Sequence, residues 1–343
     1  MKLAVIGCGA MGNRRIRHLQ QLQAGEVFGF DVRSDRRQEV NGKFGIRTLK
    51  SPHDLIQENP NAIFICVPPA FHEQYLNAAV EHGWHFMTEQ PVAHTADGLG
   101  NLLSSVIEKG LITHVSSNNR FHFAVRKFKE IIKENTVGEI LTGYVEVGEW
   151  LPDWHPYEPY TDYYPSKRSM GGGLDAICDI EWLLYLFGDI RKMACFAGKK
   201  SSLDIDTDDI VQILLEFQDG PQIFLHSDMI QRIASHKAKF IGEKGIIECD
   251  WVSRTVRRYD PKQRKWNIYE DDSDDSQWTT MKMKPGWEWV EAMYLEDTRV
   301  FIERLQNKDS SVDSLREGIK NLQLTLTALR CSKENRIWEN PDL

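Results

Sequence analysis

Three glycines and an aspartate are the residues of this 343-residue chain whose types and spacing most directly specify chemistry. The segment Gly7-Cys-Gly-Ala-Met-Gly12 sets glycines at the first, third and sixth positions of a short turn, and Asp31 follows nineteen residues after Gly12. Gly7 permits a sharp exit from a strand, Gly9 lets backbone approach a pyrophosphate, and Gly12 lets a helix pack tightly on its strand. A helix beginning here aims unpaired N–H groups and the positive end of its dipole at an anion. A carboxylate at Asp31 accepts hydrogen bonds from ribose hydroxyls and repels an additional phosphate, so the pattern predicts a dinucleotide site that favours NAD(H) over NADP(H). Arg33, two residues on, would soften that preference by attracting the extra phosphate.

The flanking residues supply the elements that such a site needs. Leu3 to Ile6 is a short apolar run ending at the glycines. Asn13 to Gln23 then carries apolar residues at helical spacing, and Val27 to Phe30 is a second apolar run closed by Asp31. Strand, turn, helix and strand in this order make the glycine pattern far more specific than it is alone. The alternation continues with strand-like Ala62–Val67, stopped by Pro68-Pro69, and helical Phe71–His82. Strand-like Trp84–Thr88, helical Ala96–Lys109 and strand-like Ile112–Ser116 follow. Short strands alternating with helices predict an α/β Rossmann domain, a doubly wound parallel sheet, over residues 1–118.

From residue 119 the texture changes, and residues 119–343 are expected to form an α+β domain for substrate binding and oligomerisation. Ala124–Glu134 is helical in pattern, Ile140–Trp150 alternates as a strand, and Asp179–Phe187 is an apolar helix. Seven strand-like runs between Met193 and Tyr269 recur at hairpin spacing, with Asp219-Gly220 and Glu243-Lys-Gly245 as turns. That predicts a large, mostly antiparallel sheet. Two helices, Trp289–Gln306 and Val312–Cys331, close the chain.

Composition narrows the function classes. A formal charge of -8 opposes nucleic-acid binding, which needs a basic surface to release counterions. No apolar run reaches the roughly 20 residues that span a bilayer, and the N-terminus lacks the order of a secretory signal, so a cytoplasmic protein without a membrane partner is expected. The six cysteines are scattered and read as reduced thiols. His82, His85 and His94 lack metal-ligand spacing and read as structural, and no metal is expected. The acidic run Glu270–Asp275 reads as a solvated loop.

With Gly7–Gly12, Asp31, Val67-Pro-Pro69 followed by His72, and Thr88-Glu-Gln-Pro91 in hand, the chain resembles the Gfo/Idh/MocA family of glucose-fructose oxidoreductases and inositol dehydrogenases, nearly end to end. Asn119-Arg-Phe121, Val137-Gly-Glu-Ile140, Gly171-Gly-Gly173 and Ile241-Gly-Glu-Lys-Gly245 are further matches. The resemblance implies hydride transfer between NAD(P) and a hydroxyl carbon of a sugar, sugar nucleotide or cyclitol. It also implies a homodimer or homotetramer built on the C-terminal sheet. As cofactor contacts it implies Gly7, Gly9, Ala10, Met11, Gly12, Asp31, Val32, Arg33, Val67, Pro68, His72, Glu89 and Gln90. His72 reads either as a neighbour of the cofactor or as a cap for backbone groups. The segment Trp150–Tyr157, with Tyr160, Tyr164 and Arg168, resembles a branch associated with surface-glycan biosynthesis.

Two departures bear on catalysis. The family usually has Glu-Lys-Pro where this chain has Glu89-Gln90-Pro91, and Gln90 hydrogen-bonds but cannot relay a proton. After the triple glycine, relatives commonly read Asp-Ala-Ile-His where this chain reads Asp175-Ala-Ile-Cys178. An ordinary thiol, with pKa about 8.5, is a poor substitute for imidazole near neutrality. The proton acceptor is then Asp175, or His155 or Tyr164, or Cys178 as an activated thiolate, while Cys178 also fits as a small buried thiol. Gln90, Asp175 and Cys178 are the catalytic candidates.

Arg120, Trp154, His155, Tyr164, Lys167 and Arg168 are the substrate-binding candidates. The aromatic rings can stack on sugar faces, or simply pack as a loop on the sheet. Lys167 and Arg168 can bind a carboxylate or diphosphate, and Arg120 reads more as a brace at the domain junction. Trp287 and Trp289 fit packing of the C-terminal helix or a subunit interface. Besides a sugar oxidoreductase, the altered residues leave open a silent or regulatory NAD-binding protein, and an enzyme that recycles NAD in elimination or glycoside cleavage.

Overall fold

The computed structural model describes residues 1–155, 158–173, 180–273 and 289–340. Asp175 and Cys178, Tyr157, Trp287 and the end of the acidic run lie outside the described residues. Two compact units emerge. The first comprises Met1–Asn118, Ser169–Gly171 and Tyr294–Gln323, and the second holds the remainder. The 119–343 segment expected as one domain therefore lends residues 169–171 and 294–323 to the first unit: the helix Trp289–Asn307 has Trp289 and Met293 in one core and Phe301, Ile302 and Leu305 in the other.

The first unit alternates strands and helices: β1 (Lys2–Ile6), α1 (Ala10–Gln21), β2 (Glu26–Phe30), α2 (Ser34–Phe44), β3 (Arg47–Leu49), α3 (Pro52–Glu58), β4 (Ala62–Ile65), α4 (His72–His82), β5 (His85–Thr88), α5 (Leu99–Glu108) and β6 (Thr113–Val115). The strands form one sheet in the order β3-β2-β1-β4-β5-β6, and every pairing is parallel. This is the doubly wound order whose reversal point lies between β1 and β4, where such sheets take ligands beyond the strand C-termini. Leu3, Val5, Phe64 and Met87 from the strands pack with Ile16 and Leu19 of α1.

Residues 34–58, which show no clear apolar period, nevertheless hold α2, β3 and α3. In α2 the only buried residue is Val40, so no amphipathic stripe marks it. The short α3 is announced instead by its cap: Ser51 accepts from the Asp54 N–H, and the Asp54 carboxylate accepts from the Ser51 N–H.

The second unit opens with α6 (Phe123–Lys133) and β7 (Ile140–Trp150). It continues with α7 (Ile180–Phe187), β8 (Ile190–Gly198), β9 (Ile210–Phe217), β10 (Gln222–Asp228), β11 (Ile230–Gly242), β12 (Gly245–Asp250), β13 (Thr255–Asp260) and β14 (Lys265–Glu270). After α8 (Trp289–Asn307) and α9 (Asp313–Glu334), a short β15 (Trp338–Glu339) completes the sheet order β14-β13-β12-β11-β7-β10-β9-β8-β15. Only β7 and β10 pair in parallel; the other neighbours are antiparallel. The inward residues of these strands, among them Val145, Ile213, Leu225 and Phe240, are fully buried with Phe128 of α6 and Trp182 of α7.

Candidate active site

The glycine turn lies where the sequence puts it, and each glycine has a distinct reason. Gly7 has φ +91°, and a Cβ on it would lie 2.6 Å from the Cys66 carbonyl oxygen. A Cβ on Gly12 would stand 1.8 Å from the Gly7 oxygen. Both contacts are with backbone, which cannot yield cheaply. At Gly9 a Cβ would meet nothing but the tip of Arg36, 3.0 Å away. The space above Gly9 is closed by a movable side chain, which is the room a pyrophosphate needs.

Gly9 caps α1 without a side-chain hydrogen bond, and no acidic residue occupies the first helical turn. The helix N–H groups are thus left for an anion. Ala10 and Met11 open the helix, with Met11 taking a contact from Arg14 at its sulfur. These features fit a bound dinucleotide.

Asp31 directly follows β2 and is buried, and one carboxylate oxygen accepts from the Cys8 N–H at 2.8 Å while the other accepts from the Arg33 N–H at 2.8 Å. The carboxylate therefore locks the turn and still offers lone pairs to a ribose. Burial, reinforced by Asp31, pushes the Cys8 thiol up to about 12, so it stays protonated. Val32 is exposed. The Arg33 guanidinium is turned onto Asp35, which removes it from the phosphate-attracting role that the sequence suggested.

Beyond β4, Val67 and Pro68 are half-buried and His72 is buried. Its Nε2 lies 2.8 Å from the Val67 oxygen and its Nδ1 3.0 Å from the Pro91 oxygen. Burial lowers its pKa, holding the ring neutral. The neutral ring carries one N–H, so His72 donates to one of these two oxygens and only lies close to the other; both ring nitrogens face backbone of the loops after β4 and β5, and of its two sequence readings the geometry fits the cap for backbone groups.

Glu89 and Gln90 follow β5. The Glu89 carboxylate is gripped by Arg15, Nε–Oε1 at 2.7 Å and Nη2–Oε2 at 3.0 Å, so it too is engaged within the protein. Arg15, fully buried on α1, also donates to Asp297 at 3.0 Å, Ser116 at 2.9 Å and Thr298 at 2.8 Å. Asp297 in turn accepts from Ser116 at 2.7 Å and lies 2.8 Å from His114 Nε2. Burial opposes both charges, but the Glu89 and Asp297 carboxylates outweigh it and raise Arg15, while His114 and Arg15 hold Asp297 well below the usual carboxylate range.

Gln90 is half-buried, and its Oε1 accepts from Asn321 Nδ2 at 2.6 Å. Asn321 is itself buried, and its Oδ1 has no hydrogen-bond partner among the described residues. The sequence reading missed Arg15, Asp297 and Asn321, since nothing local marks them.

In the second unit the aromatic segment is a succession of short turns anchored by a loop that follows β8. Trp154 is packed on the core, and its indole nitrogen has no hydrogen-bond partner among the described residues. The His155 and Tyr163 ring centroids lie 4.7 Å apart. The Arg168 N–H donates to Asp206 at 2.6 Å, and its guanidinium lies 3.5 Å from Asp208. Thr207 donates to the Pro165 oxygen at 2.7 Å, and a Cβ on Gly172 would fall 2.1 Å from the Tyr164 oxygen. Arg120 is paired with Glu181 and stacks over Tyr185, a bracing position. Lys167 is half-buried and, unlike these arginines, has no ion-pair partner among the described residues. Trp289 packs edge-on against His122.

Residues 1–117 match the oxidoreductase family with an NAD-binding Rossmann fold, and residues 125–248 match the GFO/IDH/MocA C-terminal domain, together more than half of the chain. The chain belongs to the Gfo/Idh/MocA oxidoreductase family. It is an NAD-dependent oxidoreductase. Among its family relatives, myo-inositol 2-dehydrogenase of Thermotoga maritima is 23% identical over 350 residues, covering 98% of this chain and 97% of that protein. A 2,7-anhydro-N-acetylneuraminate hydratase of Mediterraneibacter gnavus is 20% identical over 225 residues, 64% of this chain and 59% of that protein. A solved levoglucosan dehydrogenase in complex with NADH and levoglucosan shares the Gfo/Idh/MocA fold with a TM-score of 0.83 at 16% identity, covering 100% of both chains.

Proposed function

We propose that this chain is a dehydrogenase or reductase that moves a hydride between NAD(H) and a hydroxyl or carbonyl carbon of a sugar, amino sugar or sugar nucleotide, in surface-glycan biosynthesis. The observation that supports this most directly is the uncapped α1 N-terminus beneath a glycine turn braced by buried Asp31. The relatives' names, which point to myo-inositol and levoglucosan, favour a polyhydroxylated ring, and the rings at Trp154, His155 and Tyr164 offer it apolar faces. Lys167, which has no ion-pair partner among the described residues, is the cation we assign to a carboxylate or phosphate on that ring. The glycan assignment rests on the Trp150–Tyr164 segment.

When bound, NAD+ accepts the hydride. The protein must take the hydroxyl proton and hold the oxygen. Gln90, with its carbonyl held by Asn321, turns its amide N–H groups to the oxygen as donors and carries no proton away. Asp175 or Cys178, or else His155 or Tyr164, is then the proton acceptor in this proposal. The protein works in the cytoplasm as a homodimer or homotetramer through the second-unit sheet. In support, Tyr144, Phe224 and Leu214 stand in register across β7, β10 and β9 as exposed apolar side chains.

A second reading is favoured by Gln90 itself: NAD is held without net turnover, either in a silent or regulatory protein or in an enzyme that returns its hydride during elimination. The hydratase among the relatives supports the latter. Titrating purified protein with NADH and NADPH by fluorescence, then screening nucleotide sugars and cyclitols for nicotinamide absorbance change, separates these. Turnover with NADH accumulation supports the dehydrogenase, and product without net NADH change supports recycling. Binding with neither supports the silent protein, and no dinucleotide binding refutes all three. Gln90→Lys is expected to raise dehydrogenase turnover if proton relay at this position limits it.

A further inference from the structure

Three arginines follow Asp31, and the structure treats them differently. Arg33 is paired with Asp35, its Nη2 2.5 Å from Oδ2. Arg37 donates through Nη1 to the backbone oxygens of Asp31 at 2.6 Å and Val32 at 3.0 Å. Arg36, in the first turn of α2, is half-buried, and its guanidinium has no hydrogen-bond or ion-pair partner among the described residues. It lies directly over the glycine turn, with Nη1 3.0 Å and Cζ 3.5 Å from the place a Cβ on Gly9 would occupy.

Two positive features therefore converge on one spot. One is the uncapped N-terminus of α1, whose first turn holds no acidic residue. The other is a delocalised cation at the end of a flexible stem. Asp31, the nearby carboxylate, is directed to the Cys8 and Arg33 N–H groups. Like-signed groups placed together are unfavourable unless an anion sits between them, and a planar guanidinium matches paired phosphate oxygens.

We propose that Arg36 is a phosphate-binding residue of the dinucleotide site, closing over the bridging pyrophosphate from the side opposite the α1 N-terminus. This rests on the NAD-binding reading of the first unit and adds to it a residue outside the glycine pattern.

The test compares the full chain with Arg36→Gln, Arg36→Lys and, as a control for net charge, Arg47→Gln. Arg47 pairs with Glu58 and Glu26 at the start of β3, at the other end of the sheet from the glycine turn. NADH, NADPH, ADP-ribose and adenosine are titrated by calorimetry at two salt concentrations. Arg36→Gln is expected to weaken NADH and ADP-ribose equally, about tenfold or 1.4 kcal/mol, and to reduce their salt dependence, with adenosine unchanged. Arg36→Lys falls between, because lysine keeps the charge and loses the fork. Unchanged NADH affinity in Arg36→Gln overturns the proposal. So does a loss confined to NADPH, which moves Arg36 to the 2′-phosphate, or a loss shared by adenosine, which puts it on the base. Wild-type protein that binds no dinucleotide overturns the NAD-binding reading as well. Thermal melts of the variants confirm folding independently.

Discussion

Replacing Arg15 by Met is the most informative single perturbation of the first unit. The side chain is fully buried and donates to two carboxylates, Glu89 and Asp297, of which Asp297 is also fully buried. Methionine fills most of the volume but takes the guanidinium from both charges, leaving Asp297 with His114 and Ser116 among its remaining partners. Removing one partner of a buried ion pair costs about 3–5 kcal/mol, a large part of the 5–15 kcal/mol that holds an ordinary domain together. At roughly 2–4 °C per kcal/mol for a unit of this size, the midpoint should fall by about 6–20 °C.

The pH dependence sharpens the test. In the wild type, Asp297 has a depressed folded pKa, so its contribution is present above about pH 4 and is lost as pH falls through the folded value. In Arg15→Met that carboxylate is pushed up, the folded state binds the extra proton, and the stability deficit should shrink from pH 8 toward pH 5. Asp297→Asn in the Arg15→Met background removes a charge that has lost its guanidinium and should recover at least about 1 kcal/mol relative to additivity. Calorimetric melts across this pH range decide the matter. A drop below about 3 °C, or strict additivity of the double variant, would refute the reading of Arg15 as the desolvated hub of the network.

Three further outcomes follow from the geometry. Gly12→Ala places a methyl 1.8 Å from the Gly7 oxygen and should cost about 2 kcal/mol in spite of the better helix propensity; it should also abolish measurable NADH binding, as seen by fluorescence titration. His72→Phe removes the one N–H that the neutral ring donates to the Val67 or the Pro91 oxygen and should cost about 1–2 kcal/mol, read in urea unfolding, and an unchanged midpoint would show that the ring is dispensable. In the second unit the Asp228 hydrogen bond raises the His226 pKa, and the pair is 2.8 Å apart; its stabilisation is present below about pH 6.5 and should fade as pH rises through the folded value, by about 1 kcal/mol between pH 6 and pH 8.5. Asp228→Asn should flatten that slope in chemical denaturation, and an equal slope in both proteins would place the titration elsewhere.

What the sequence by itself determined is whatever neighbouring residues dictate to one another. Leu3–Ile6, the glycines and the helix after them specify strand, turn and helix through apolar period and φ freedom. Asp31 is legible because a fixed strand length carries it back to the turn. Alternation along β7, and the hairpin spacing of the strand-like runs after it, similarly announced a large, mostly antiparallel sheet. Where local signals fail, the reading fails with them: α2 buries Val40 alone, and nothing in residues 34–49 betrays it. Only the tertiary structure decided who partners whom. Arg15 meets Glu89, Ser116 and Asp297 across 74, 101 and 282 residues, and Gln90 meets Asn321 across 231. An ion pair or an amide clamp leaves no periodic trace in the chain, because its partners are chosen by the order of strands in the sheet and by which helix covers them. The same holds for Arg33 and Arg36, alike in sequence: the backbone turn after β2 hands one to Asp35 and leaves the other lying over Gly9.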